Sequence, residues 1–199
     1  MVESVNVPGT VEWSGENPGI SLKLDPNGPF TTMASFFRVI LSPHGRGHAL
    51  VLAPKPGEAS AENVVLTDNE PLARWLVGNY MAHFAAWRGL PSVPALRYLK
   101  ADSVVSGGDP TSRYTETVVG SGLTVELAWG GLGKPFCFAH PPENSATGAH
   151  WMPSLFIGCE TATITVNGTL MPGQPVPRMV AGHPISTAML AFAETWVRP

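Results

Sequence analysis

Between Asp68 and Pro91 runs the stretch of this chain in which apolar residues follow a helical period most clearly. Leu72, Trp75, Leu76, Tyr80, Phe84 and Trp87 are spaced to fit 3.6 residues per turn. Asp68 or Asn69 can cap its N-terminus, Glu70 complements the dipole there, and Pro71 falls in the first turn. Gly89 and then Pro91 close it in the order expected of a helix C-terminus. The spacing predicts a helix over 68–88. Its opposite side carries Ala73, Val77, Gly78, Met81, Ala82, Ala85 and Ala86, with Arg74 and Arg88 towards the ends. A helix apolar on nearly every side is expected to be buried on nearly every side, and its small residues would let another backbone approach closely.

Around that helix the sequence is built for strands and turns. Twenty-one glycines and twenty prolines make up about a fifth of the 199 residues, where roughly 12% is usual. Short elements joined by tight turns are therefore expected. Residues 1–30 read as a Gly/Pro-rich segment with one alternating stretch, Ile20 to Leu24. Met33–Leu41 and His48–Ala53 read as strands joined across Ser42-Pro-His-Gly-Arg-Gly47, and Asn63–Thr67 as a further short strand. From residue 111 on, the pattern is mostly β. Arg113–Val119 and Leu123–Trp129 alternate across Gly120-Ser121-Gly122, and Ala162–Val166 runs into Asn167-Gly168, a strong hairpin signal. Pro172, Pro175 and Pro177 exclude a central strand after it. Ser186–Val197 fits both periods; its β surroundings favour a strand.

The fold class that follows is β-rich α+β: a single domain spanning 1–199, with a curved antiparallel sheet or barrel packed around one buried helix. A lipocalin-like barrel or a hot-dog-like wrapped sheet fits the element pattern, and analogy of that kind carries no function.

Composition removes several function classes. Twelve basic against fifteen acidic residues give a net charge of −3 and no basic face for nucleic acid. No apolar run is long enough to span a membrane, and Met1–Gly9 has neither a basic n-region nor an apolar h-region, so a cytoplasmic protein is expected. Cys137 and Cys159 have no metal-type spacing and read as small buried hydrophobes. His44 and His48 are spaced H-x-x-x-H within a Pro/Gly turn, without a third ligand beside them, so no metal is expected. Nucleotide-binding glycine motifs, a nucleophile elbow and a lysine within an apolar run are all missing, so no cofactor is expected.

Three sets of residues carry candidate chemistry. Asn79 and His83 are spaced i, i+4 on the aromatic stripe of the helix, beside Tyr80. A buried, neutral imidazole there would serve as an acid or base, with the carboxamide and phenol orienting a substrate. The bland reading is a structural hydrogen-bond network. The second set is the loop between His140 and His150, followed by Trp151, a rim or lid over a pocket mouth or else an ordinary solvated loop. The third is Glu194, expected to share a strand face with Leu190, Phe192 and Trp196. A carboxylate on such a face needs a partner or carries a raised pKa. Glu126 is expected to point outward.

Six tryptophans, eight phenylalanines and seven methionines around an apolar helix are suited to enclosing a small nonpolar molecule. The expected function is binding of such a molecule, with cofactor-independent proton transfer, hydration or dehydration, isomerisation or cyclisation. His83, Asn79, Tyr80 and Glu194 would be the catalytic residues. Trp75, Phe84, Trp129, His140, His150 and Trp151 would line the pocket. A non-catalytic carrier or sensor is the alternative, as is an oligomeric structural protein with a filled interior. Low charge makes a homodimer plausible under each.

Overall fold

The computed structural model describes residues 7–109 and 111–199; the first six residues, part of the stretch read above for a leader, lie outside it. The strands are β1 (Thr10–Glu16), β2 (Gly19–Leu22), β3 (Thr32–Leu41), β4 (Gly47–Ala53) and β5 (Val64–Thr67). Helix α1 (Glu70–Asn79) then leads to β6 (Arg97–Lys100), β7 (Ser103–Gly108), β8 (Arg113–Gly120), β9 (Leu123–Leu132) and β10 (Phe136–His140). The chain finishes with β11 (Met152–Val166), β12 (Thr169–Leu170), β13 (Pro177–Val180), β14 (His183–Ser186), β15 (Ala188–Phe192) and β16 (Glu194–Arg198).

Among the described residues, fourteen of these strands form one sheet, and β13 pairs with β14 as a separate hairpin. The main path runs β6-β5-β4-β3-β2-β15-β11-β9-β8-β7, and the sheet curls into a half-barrel. Its pairings are antiparallel except β5 with β6, where α1 lies in the crossover that a parallel pair requires. The result is a single β-rich domain with one short helix.

Strands β2 to β5 are buried on both faces, and their sequences explain how. On β3, Ala34 and Phe36 point into one apolar cluster, while Met33, Phe37 and Val39 point into another. β4 divides the same way, with Leu50 and Leu52 against Ala49, Val51 and Ala53. Continuous apolar runs, rather than alternating ones, are what a strand covered on both sides needs. One cluster fills the curl, where Val125, Leu127 and Trp129 of β9 meet the first half of the sheet. The other lies under α1, through Leu72, Ala73, Leu76 and Val77. Arg38 of β3 ties the two halves together: its guanidinium meets Glu116 of β8 at 2.8 Å and also pairs with Glu16.

Two hairpins form as expected. Ser121-Gly122 and Asn167-Gly168 all have positive φ, the requirement of a two-residue type I′ turn. The helix differs from its expected length. It stops at Asn79, whose side-chain amide donates to the Trp75 carbonyl at 2.9 Å, and Tyr80 turns the chain out of helical geometry. Phe84 and Trp87 therefore belong to the turns beyond it, and Arg74, Gly78 and Asn79 face water, so the helix is buried on one side only. The N-terminal segment also holds more structure than its glycines imply. β1 is a full strand pairing with both β3 and β16, and Gly15 sits where a Cβ would lie 2.1 Å from the Arg38 carbonyl oxygen.

Candidate functional site

The residues following α1 and those following β10 close over one region of the sheet. Between them is a cavity of about 370 Å³, lined by β2, β3, β15 and β16 below and by Phe84–Arg88 and Asn144–Ala146 above. That volume lies at the small end of ligand pockets, roughly 300–1,000 Å³. Phe84, Phe138, Phe156, Trp196, Met152 and Met189 supply apolar walls. Asn17, Ser35, His140, Arg178 and Glu194 supply the polar groups.

Glu194 is the unusual member. It is 3% exposed, and among the described residues no basic side chain pairs with it. Trp196 Nε1 donates to its Oε1 at 2.7 Å, and the nearby Asn17 side chain also favours its charged form. Ser35 Oγ donates to Asn17 Oδ1 at 2.7 Å, which leaves the Asn17 amide N–H groups for the carboxylate. Burial outweighs these donors and pushes the Glu194 carboxyl up to about 7. A carboxyl with that value exchanges a proton readily at neutral pH. Burial also lowers His140 below the usual imidazole value, which favours its uncharged form.

The backbone aims these groups. Ala193, between β15 and β16, has φ 60°, a left-handed conformation unusual for a residue with a side chain. This kink breaks the simple alternation. Leu190 and Phe192 pack into the curl, whereas Trp196 packs under the helix side of the sheet. The expectation that Glu194 shares a face with Leu190 and Phe192 is corrected accordingly; it is paired with Trp196 alone.

A second polar cluster supports the cavity without lining it. Glu12 of β1 accepts from the Tyr80 hydroxyl at 2.6 Å, lies 2.8 Å from His150 Nε2, and pairs with Arg198. His150 Nδ1 is in turn 2.8 Å from Thr147 Oγ1. The Arg198 hydrogen bond is the largest influence on Glu12, and with Tyr80 and His150 it lowers the carboxyl to about 2 despite burial. Burial and the Glu12 carboxylate raise the Tyr80 phenol well above its usual value. This cluster ties the loop after β10 to the first and last strands. Trp196 touches both regions: it stacks on Phe84 at 6.0 Å and meets Tyr80 edge-on at 5.1 Å.

The residues expected to act together are thus distributed. Glu194, His140 and Phe84 line the cavity. Tyr80 and His150 belong to the supporting cluster. Asn79 and His83 are exposed, since the helix ends between them, so the expected buried stack of the two does not form. Trp129 lies inside the curl with its Nε1 donating to the Gly19 carbonyl at 3.2 Å. Trp75 packs against Tyr80 and His44, and Trp151 bridges to Val197. Glu126 points outward near Arg113.

Asn17, Ser35 and Arg178 were not anticipated. Asn17-Pro18-Gly19 reads as a turn, and Arg178 follows two prolines in a segment without periodicity. Neither carries a signal at the level of spacing. The chain matches no family model, no curated protein and no solved structure.

Proposed function

We propose that the cavity binds a small, largely apolar molecule and that Glu194 moves a proton on it, without a cofactor. The observation that supports this reading best is a fully buried carboxyl facing the cavity that, among the described residues, no basic side chain pairs with. A carboxyl used only for structure is normally paired or solvated. Left as it is, Glu194 is poised to take a proton from a carbon next to an electron-withdrawing group and return it elsewhere. Such a 1,3-shift is an isomerisation in which the enzyme ends in its starting protonation state. His140 is a second lining group able to donate or accept a hydrogen bond, and the aromatic walls hold the substrate against both.

The test is proton exchange in deuterium oxide. Unsaturated and carbonyl-bearing aromatic compounds are incubated with the protein, and deuterium uptake at carbon is followed by NMR. Uptake with the wild type that is lost in Glu194→Gln, while binding persists, is the expected result. Binding with no exchange by either protein would instead favour a carrier, the second reading that a cavity supports. No binding at all would remove both.

A further inference from the structure

Among the described residues, two arginines are withdrawn from the surface, Arg38 and Arg178. Arg38 is matched by two carboxylates, Glu16 and Glu116. Arg178, on β13, has none. Its Nε donates to the Ser186 carbonyl at 3.2 Å, and Nη2 rests 2.8 Å from Met189 Sδ, a weak acceptor. A guanidinium has five N–H donors arranged as a fork, and burying them without acceptors is costly. Desolvation is the sole influence on its acidity, so no charge nearby offsets the burial. The same side chain lines the cavity that contains Glu194.

We propose that Arg178 anchors a carboxylate carried by the ligand, so that this cavity takes a small apolar acid rather than a neutral hydrocarbon-like molecule. The inference rests on the preceding reading that the cavity binds a small molecule. Arg178 is then the missing half of a bidentate pair, of the kind guanidinium and carboxylate form most readily. The apolar body lies against Phe84, Phe138, Phe156 and Trp196. The end bearing the reacting carbon faces Glu194. Specificity follows from the unpaired cation: a neutral amide offers it one carbonyl acceptor and no countercharge, whereas a carboxylate offers two acceptors and the charge.

The experiment uses matched pairs of probes with the full chain: 3-phenylpropionate with 3-phenylpropanamide, 2-naphthoate with 2-naphthamide, and octanoate with octanamide. Affinities are measured by ligand-observed NMR for the wild type, Arg178→Gln, Arg178→Lys and the cavity-filling Ala146→Trp. The expected result is at least one acid binding ~10-fold or more tightly than its amide. Arg178→Gln should bring that acid down to the level of the amide, with the amide unchanged. Arg178→Lys should keep part of the preference, and Ala146→Trp should remove binding of both. Equal affinity of acid and amide in the wild type, or a preference that survives Arg178→Gln, overturns the anchor and leaves the pocket standing. No binding by any pair, or binding indifferent to Ala146→Trp, overturns the pocket and the anchor together. Melting temperature gives a second check. An anchor awaiting its ligand gives an Arg178→Gln protein at least as stable as the wild type; a marked loss of stability would identify Arg178 as a brace for the hairpin and overturn the proposal.

Discussion

Trp196 donates its indole N–H to the Glu194 carboxylate at 2.7 Å, two residues away on the same strand. Both stand just past the left-handed Ala193, so one backbone kink delivers the carboxyl and the donor that tempers it. Replacing Trp196 by Phe keeps a ring against Phe84 and removes the donor together with part of the buried indole. The Glu194 carboxyl should then titrate still higher, and stability at pH 8 should fall by about 1–3 kcal/mol. Isotope-edited NMR of the carboxyl carbon, with denaturant unfolding beside it, measures both effects.

Glu194 sets a pH dependence of opposite sign to the usual carboxylate. Its folded value of about 7 lies above the ordinary 4.5, so the folded state holds its proton more tightly than the unfolded state. The stability associated with it is fully present below about pH 4.5. It is lost as pH rises to about 7 and stays lost above that. The loss is on the order of 3 kcal/mol. Glu194→Gln should flatten this part of the curve and be relatively more stable at pH 8 than at pH 4.5. A wild-type curve rising between pH 5 and 7, with no change of slope in the variant, would contradict it.

Glu12 acts in the conventional direction. Its carboxyl is lowered to about 2, chiefly by Arg198 and then by Tyr80 and His150, so its contribution is present above about pH 4.5 and lost as pH falls to about 2. In Glu12→Gln, acid unfolding monitored by circular dichroism should begin at higher pH. Protease cleavage between residues 141 and 151 should also become faster, because the loop loses its tie to β1.

Arg38 and Glu116 join the two halves of the curled sheet, and Glu116 is 0% exposed. Glu116→Leu alone should cost about 3–5 kcal/mol, since Arg38 keeps only Glu16 as a carboxylate partner. The double variant Arg38→Met with Glu116→Leu should recover most of that. A double-mutant cycle on urea unfolding gives the coupling directly.

Gly15→Ala should weaken the β1–β3 pairing, because its Cβ would lie 2.1 Å from the Arg38 carbonyl oxygen and the backbones would have to separate. Early loss of amide protection along Thr10–Glu16 is the expected readout by hydrogen exchange.

The sequence was most legible where local chemistry decides the outcome. Asn167-Gly168 and Ser121-Gly122 make the turns their residue types demand, and the strands flanking them follow. The helix start was legible too, with Asn69 accepting from the Leu72 N–H at 3.2 Å as its cap. Its end was not. Phe84 and Trp87 keep helical spacing because both must reach buried surroundings from successive turns, and periodicity does not distinguish that from a continuing helix. The candidate site was half legible. Glu194 stood out as a charge within an apolar strand, while Asn17, between β1 and β2, and Ser35 of β3, which bonds to it, are brought near by pairings that no local pattern specifies.

The first and last strands described here lie side by side, with Ser14 bonded to Thr195 across 181 residues of chain. During synthesis, strands such as β3, β4, β8 and β9 can pair while the ribosome is still at work. The cavity has no such head start. Its floor needs Asn17 and Glu194 together, and its roof is pinned through Glu12 by His150 and Arg198. Long-range closures of this kind form late and are the first to open. A nascent or C-terminally clipped chain would therefore have a nearly complete sheet yet no place for a ligand, so ligand protection against proteolysis would mark molecules whose closing strand is in place.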